Sequence, residues 1–387
     1  MIALFGQVVI PLGVIEEGVV LVDGETIAAV GRAAEVQVPS GVERIEAPLI
    51  APGFVDLQLN GAFGHDLNGD PGAVAEIAAR LPATGVTTFL PTLISAPRAV
   101  LVQRLATLRE GAAAARAGSA RIGGFHLEGP FLSPVRVGAH ETAALALPTA
   151  ADAAWIAAAG VRLVTLAPEL PGALELTSAL IARGVAVAAG HTDATAEQAQ
   201  AAIDAGVRFA THLFNAMAPL HHRAPGAAGA FLAADDAAVG LIADGVHVHP
   251  AMVQVVRRCK RIGKVVLVTD AIAAAGVQPG RSMLAGRAIV VDATSARLPD
   301  GTLAGSTLTM DAAVRNYRSF TGCEAHEAIA AATVAPASAL GAEGLGCIAV
   351  GGAADLVLLG RDLRVLGTLI NGVQSFRAPD PRAAPSR

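Results

Sequence analysis

The sequence predicts an α/β fold: a (β/α)8 TIM barrel with a small β-sandwich domain built from both chain ends. Three observations carry that prediction. In mid-chain, short and almost continuously apolar runs alternate about eight times with alanine-rich stretches of helical length. This is the pattern of parallel strands covered on both faces, in the number that closes a barrel. The first such unit has no G-x-G-x-x-G turn, which argues against a dinucleotide-binding open sheet. The two chain ends carry short apolar runs punctuated by Gly, Pro and Asp-Gly, the texture of hairpins. The 387 residues also suffice for a barrel of about 250 residues with an appendage.

In chain order, residues 1–47 hold ALFGQVVI, GVVLVDG, TIAAVG and VERIEA, the expected strands of the small domain's N-terminal part. Residues 48–345 form the expected barrel. Its predicted strands are Ile50–Leu59, Val86–Leu90, Ile122–Leu127, Val161–Leu166, Val185–Ala189, Val207–His212, Val239–Ala243 and Val265–Thr269. Predicted helices include Gly72–Ala83, Pro97–Ala117, Ala194–Ala205 and Pro250–Ile262. Residues 346–387 bring back the hairpin texture in GCIAVGG, DLVLLG and VLGTLING and complete the small domain.

Composition narrows the function classes. Hydrophobic residues make up 53% and charged ones 16%, which excludes a disordered chain. The net charge of −5 and the single Trp and single Tyr leave no nucleic-acid footprint, so an anionic substrate would be held by local groups. Mean hydropathy is +0.53, largely from alanine. The best uncharged stretch, Ala328–Ala342, contains Thr, Ser and Pro336 and is too short and polar to span a bilayer. The apolar N-terminus has no Lys or Arg before it, unlike a secretory signal. Three scattered cysteines, Cys259, Cys323 and Cys347, fit a reducing cytoplasm. Only two lysines occur, Lys260 and Lys264.

The unusual polar residues gather at the C-terminal tips of the predicted strands: Gln58, Asn60, Glu128, His191, His212, His247 and Asp270. In a barrel these tips share one face, where such folds build their sites. Glu128, His191 and His212 form a plausible zinc set with a fourth position open for water. Asp270 is then placed to take the water proton and return it to a leaving nitrogen, although VTDAIAAAG also suits it as a helix N-cap. His65, His221, His222, His249 and His326 read as exposed polar residues.

PGFVDLQLNG, GFHLEGPFL, GAH, AGHTDAT, THLFNAMAPL, ADGVHV, VTDA and LAGSTLTM together resemble the N-acetylglucosamine-6-phosphate deacetylases of the amidohydrolase superfamily. The resemblance runs from about Pro52 to Met310, with GGAADLVLL matching the returning β segment. It implies a metal-dependent enzyme of amino-sugar breakdown that hydrolyses N-acetyl-D-glucosamine 6-phosphate to the amine and acetate. It also implies a homodimer, metal ligation by Glu128, His191 and His212, and a proton shuttle at Asp270. Arg223 would hold the 6-phosphate with help from Asn215 and Ala216. His140 and His247 would meet the sugar hydroxyls or the acetyl carbonyl, a division left open. Ala139, Asp244, Gly245, Val246, Leu303, Ala304 and Gly305 match substrate-contact segments, and loop 129–139 is either a lid or a rigid wall.

One departure from the superfamily matters. Many members carry His-x-His after the first strand and a carboxylated lysine on the fourth. This chain has Gln58-Leu59-Asn60 and no lysine near the fourth strand, so Gln58 and Asn60 read as hydrogen-bonding residues of the barrel mouth at what would be vestigial second-metal positions. Neutral amides are poor ligands for a second cation, and one ion per chain, most plausibly zinc, is expected. The alternatives are a deacetylase of the galactosamine epimer, another amidohydrolase such as a deaminase or cyclic amidase, and a non-catalytic binding protein.

Overall fold

The computed structural model describes residues 1–292 and 294–379, so the last eight positions of the expected C-terminal part lie outside the described residues. Eight short parallel strands wind through mid-chain: Phe54–Leu59, Val86–Ile94, Phe125–Glu128, Val161–Leu166, Ala186–Ala189, Phe209–Ala210, Ala238–Leu241 and Val265–Leu267. Each pairs with the next in sequence, giving one continuous path. Their side chains are buried almost throughout, because the barrel interior and the surrounding helices cover both faces. Helices Arg98–Ala113, Asp152–Ala158, Ala173–Ile181, Ala196–Asp204, Gly226–Ala233, Pro250–Cys259 and Met310–Thr321 form the outer layer. Local sequence sets their ends: Thr195 and Gln198 make a reciprocal capping box, and Gly322 closes Met310–Thr321 at φ +66°.

Among the described residues no ladder joins the last strand to the first. Individual bonds close that seam instead. Asp56 Oδ2 accepts from Thr269 Oγ1 at 2.5 Å, the Asp270 amide donates to the Gln58 carbonyl, and the Asn60 amide donates to the Ala271 carbonyl. At the other end Ala331 and Ala332 lend carbonyls to Leu267 and Val55. The uncharged stretch around them holds the end of the short helix Ala325–Ala330 and all of Val334–Ala339. Among the described residues no helix is long and apolar enough to cross a membrane.

Both chain ends meet in one seven-stranded sheet, ordered Val373–Arg377, Val365–Ile370, Leu356–Leu359, Glu43–Pro52, Ile2–Ile10, Gly13–Asp23, Thr26–Arg32. The expected single strand Ile50–Leu59 is therefore two: the chain leaves this sheet at Pro52 and enters the barrel at Phe54. Gly53 makes the junction, where a Cβ would fall 2.1 Å from Thr87 Oγ1. Ile122–Leu127 likewise divides into Arg121–Ile122 and Phe125–Glu128, and GCIAVGG forms no strand. A three-stranded sheet, Gly280–Leu284, Arg287–Val291 and Ala296–Arg297, rises after the eighth strand and was not anticipated.

Candidate active site

The strand tips converge as expected. Glu128 ends the third strand, His191 and His212 follow the fifth and sixth, and Asp270 follows the eighth. His191, His212 and Asp270 hold φ of +47°, +23° and +48°, values that non-glycine residues adopt only when surrounding structure insists. The sharp turns aim these side chains across the barrel mouth. They line a cavity of about 640 Å³ together with Asn60, His140, His247, Asn215 and Ala216.

Glu128 Oε1 lies 2.9 Å from His212 Nε2 and 3.2 Å from His191 Nε2, and the two nitrogens are 3.2 Å apart. These edges approach the roughly 3.3 Å spacing of ligands arranged tetrahedrally about 2.0 Å from a zinc-like ion. Two imidazole nitrogens facing each other at that distance, buried beside a carboxylate, need a cation or a shared proton between them. His191 Nδ1 donates to the Arg136 carbonyl at 3.0 Å, which leaves the Nε2 lone pair facing the site. His212 Nδ1 is buried with no hydrogen-bond partner among the described residues. The residues fit a divalent ion.

Glu128, His140 and His191 also present donor atoms within 4.8 Å of one another. Yet the atoms behind the His140 ring give it a different part. The Ser95 backbone N–H donates to His140 Nδ1 at 3.2 Å, and Ser95 Oγ lies 2.8 Å away. An accepting Nδ1 puts the proton on Nε2, so His140 is a donor, and its Nε2 stands 3.7 Å from Glu128 Oε2.

Electrostatics follow from this crowding. Burial pushes the Glu128 carboxyl up, but the imidazoles of His140, His191 and His212 packed around it outweigh that and hold the group well below the carboxylate range. Burial and the neighbouring His140 lower His191 to about 4, favouring the neutral ring that coordinates metals. Burial, with the nearby Glu128 charge, raises Asp270 to about 7. His126, one strand position below the site, is held neutral by burial, at about 4, between Thr92 and Thr165.

Gln58 and Asn60 are hydrogen-bond donors in the floor. Gln58 Nε2 donates to Glu128 Oε1 at 2.8 Å and to Asp270 Oδ1 at 3.2 Å; Asn60 Nδ2 donates to the same Oδ1 at 2.7 Å. His247 Nδ1 donates to Asp244 Oδ2 at 2.6 Å, and Asp244 Oδ1 accepts from the Val246 and His247 amides. Asp244, Gly245 and Val246 thus aim His247 and do not themselves line the cavity. Ala139, Leu303 and Gly305 line it, while Ala304 is buried behind them.

Arg223 departs from expectation. It is exposed, its Nη1 faces His222 at 2.9 Å, and it lies off the cavity lining of its own chain. The arginines that line the cavity are Arg136, whose guanidinium pairs with Asp193, and Arg297. Sequence reasoning missed both, and also Ser95, Thr302, Ile94 and Leu284. Ser95 follows the second strand, which runs to Ile94 and so past its predicted end at Leu90, and the strand-tip rule did not reach it. Leu284 and Arg297 sit on the unanticipated small sheet. Loop 129–139 is tied down by the Ser133 amide on the His191 carbonyl, by His191 on the Arg136 carbonyl, and by Arg287 Nη1 on the Ala139 carbonyl.

Comparison with known proteins identifies the family. The Amidohydrolase family model matches residues 49–374. The N-acetylglucosamine-6-phosphate deacetylase of Homo sapiens is 40% identical over 351 residues, covering 86% of this chain and 85% of that protein. An N-acetylgalactosamine-6-phosphate deacetylase of Escherichia coli O157:H7 is 37% identical, covering 88% and 91%. Among solved structures, a Mycobacterium smegmatis N-acetyl-D-glucosamine-6-phosphate deacetylase mutant, in complex with N-acetyl-D-glucosamine-6-phosphate, superposes with a TM-score of 0.89. It is 35% identical and covers 97% of this chain and 99% of that one.

Proposed function

The chain belongs to the amidohydrolase family, and we infer that it hydrolyses N-acetyl-D-glucosamine 6-phosphate to D-glucosamine 6-phosphate and acetate. The observation that carries this reading is the triangle of Glu128 Oε1, His191 Nε2 and His212 Nε2 beside Asp270 in one cavity. Two imidazoles and a carboxylate suit zinc, and these three residues would hold a single ion. When bound, such an ion supplies Lewis acidity, activating water near neutral pH and polarising a carbonyl.

The chain's own residues do the rest. Asp270 takes the proton of the attacking water as the new C–O bond forms at the acetyl carbon. It then delivers that proton to the sugar nitrogen as the C–N bond breaks, so the amine and acetate depart. His140 presents its Nε2–H to the carbonyl oxygen, where negative charge grows in the tetrahedral intermediate. His247, its Nδ1 proton committed to Asp244, offers Nε2 as an acceptor for a sugar hydroxyl. This is the division of roles we propose for His140 and His247.

We further propose a cytoplasmic homodimer in which Arg223 of one copy reaches the phosphate in the other. Its exposed position off its own cavity supports this. Acetate release, assayed on N-acetylglucosamine and N-acetylgalactosamine with and without the 6-phosphate alongside metal analysis, tests the function. Faster turnover of a cyclic amide or an amino-purine than of either sugar phosphate would refute it. The galactosamine relative, nearly as similar, keeps the 4-epimer in that panel.

A further inference from the structure

Gln58 takes no step in the chemistry above, yet it touches both carboxylates that matter. It is buried at the tip of the first barrel strand, and its amide has two unlike ends. Nε2 donates to Glu128 Oε1 and Asp270 Oδ1, while Oε1 accepts from Thr211 Oγ1 at 2.7 Å. Flipping the amide would set its oxygen against two carboxylates, lone pairs facing lone pairs, so the orientation is fixed. The Thr211 hydroxyl secures the far end, and its only hydrogen bond among the described residues is this one.

The consequence falls on Asp270. Its Oδ1 takes two amide donors, from Gln58 and Asn60, and its Oδ2 takes none among the described residues. A carboxylate gripped through one oxygen cannot rotate freely, and the other oxygen is left for the proton.

We propose that Gln58, oriented by Thr211, is a positioning residue that locks the Asp270 carboxylate through Oδ1, leaving Oδ2 to exchange the proton. Thr211 thereby acts on the reaction at second hand. A buried threonine beside a ligating histidine otherwise reads as simple core. The proposal rests on Asp270 carrying the proton, so Asp270→Asn is measured in parallel.

The test uses metal-loaded enzyme and four variants: Thr211→Val, Thr211→Ser, Gln58→Ala and the Thr211→Val/Gln58→Ala double variant. Readouts are kcat, KM, bound metal per chain and thermal midpoint. Loss of an outer hydrogen-bond partner in a metal site commonly costs about 10–100-fold. Thr211→Val and Gln58→Ala should each lower kcat by that order, with KM and metal content little changed. Thr211→Ser, which keeps the hydroxyl, should restore turnover. The double variant should be no slower than Gln58→Ala alone, since Thr211 works only through Gln58. Equal loss in Val and Ser variants, additive losses in the double variant, or a fall in kcat that tracks metal loss would each overturn the proposal. An inactive Asp270→Asn beside an unimpaired Thr211→Val would sink the positioning role alone. An active Asp270→Asn would sink the reading of Asp270 itself.

Discussion

His140 and His212 both point a ring nitrogen at Glu128, and only the atoms behind each ring tell them apart. Ser95 donates to His140 and fixes it as a donor; among the described residues none bonds the far nitrogen of His212, whose Nε2 completes the triangle. His212→Asn should therefore lose the ion and activity together, while His140→Ala should keep the ion. The latter should lose about 10²–10³-fold in kcat, the usual cost of one donor to a developing oxyanion. Metal content and kcat on the two purified proteins check this, and loss of the ion from the His140 variant would exchange the two roles. Asp270→Asn should keep metal and fold but drop kcat by at least about 10³-fold, because Asn can neither take the water proton nor return it to the leaving nitrogen. Near-normal turnover with metal bound would remove Asp270 from the mechanism. Glu128, His191, His212 and Asp270 were legible as candidate site residues because each is titratable and sits at a strand tip. Ser95 and Thr211 were not, since a hydroxyl that acts through a neighbour looks like any buried hydroxyl. Arg223 was legible as a phosphate binder only by resemblance, and its own chain does not place it there.

At the level of elements, the seam between the first and eighth strands is the barrel's least regular part, and Asp56 spans it. Burial raises its carboxyl from 3.8 to about 6 against the pull of bonds from Thr269 and Gln58. The folded chain thus binds this proton more tightly than the unfolded chain does. The resulting stabilisation is fully present below about pH 3.8 and is lost as pH rises through about 6. Between about pH 4 and pH 7 the loss amounts to roughly 2–3 kcal/mol. Asp56→Asn cannot titrate, so its stability relative to the parent should rise by that amount over the same range. Chemical denaturation of both proteins at the two pH values measures it. A gap independent of pH would mean that Asp56 is not buried as a neutral acid. The eight-unit pattern was readable because parallel strands are apolar on both faces. The strand break at Gly53 was not, since a run such as LIAPGFVDLQL stays apolar while it passes from one sheet to the next. The small sheet at 280–297 escaped for the opposite reason: its strands are short and half exposed, with little apolar signal.

Across the whole molecule, the positions that would hold a second ion are occupied by amide donors. Both lysines donate to the carbonyls of Ala234 and Asp236, in the segment that enters the seventh strand, at the end of the barrel away from the site. About one tightly held divalent ion per chain is the expected result of elemental analysis. Two ions, with activity following the second, would contradict it. The remaining question is how a phosphate is neutralised when Arg136 is already paired with Asp193 and Arg223 faces away from its own cavity. In a twofold dimer each copy can lend the same loop to the other, so one lesion in Arg223 and one in Asp270 fall in different places. Arg223→Ala should raise KM for the phosphorylated sugar by about one to two decades, the worth of a charge-assisted contact, and leave the unphosphorylated sugar little affected. When Arg223→Ala and Asp270→Asn chains are co-expressed, about half the dimers are mixed, and each mixed dimer has one site with both lesions and one with neither. Activity at low substrate should then recover to about a quarter of the parental value, well above the mean of the two variants. Recovery no greater than that mean would place Arg223 in its own chain's site, reached by rearrangement of the 219–225 loop.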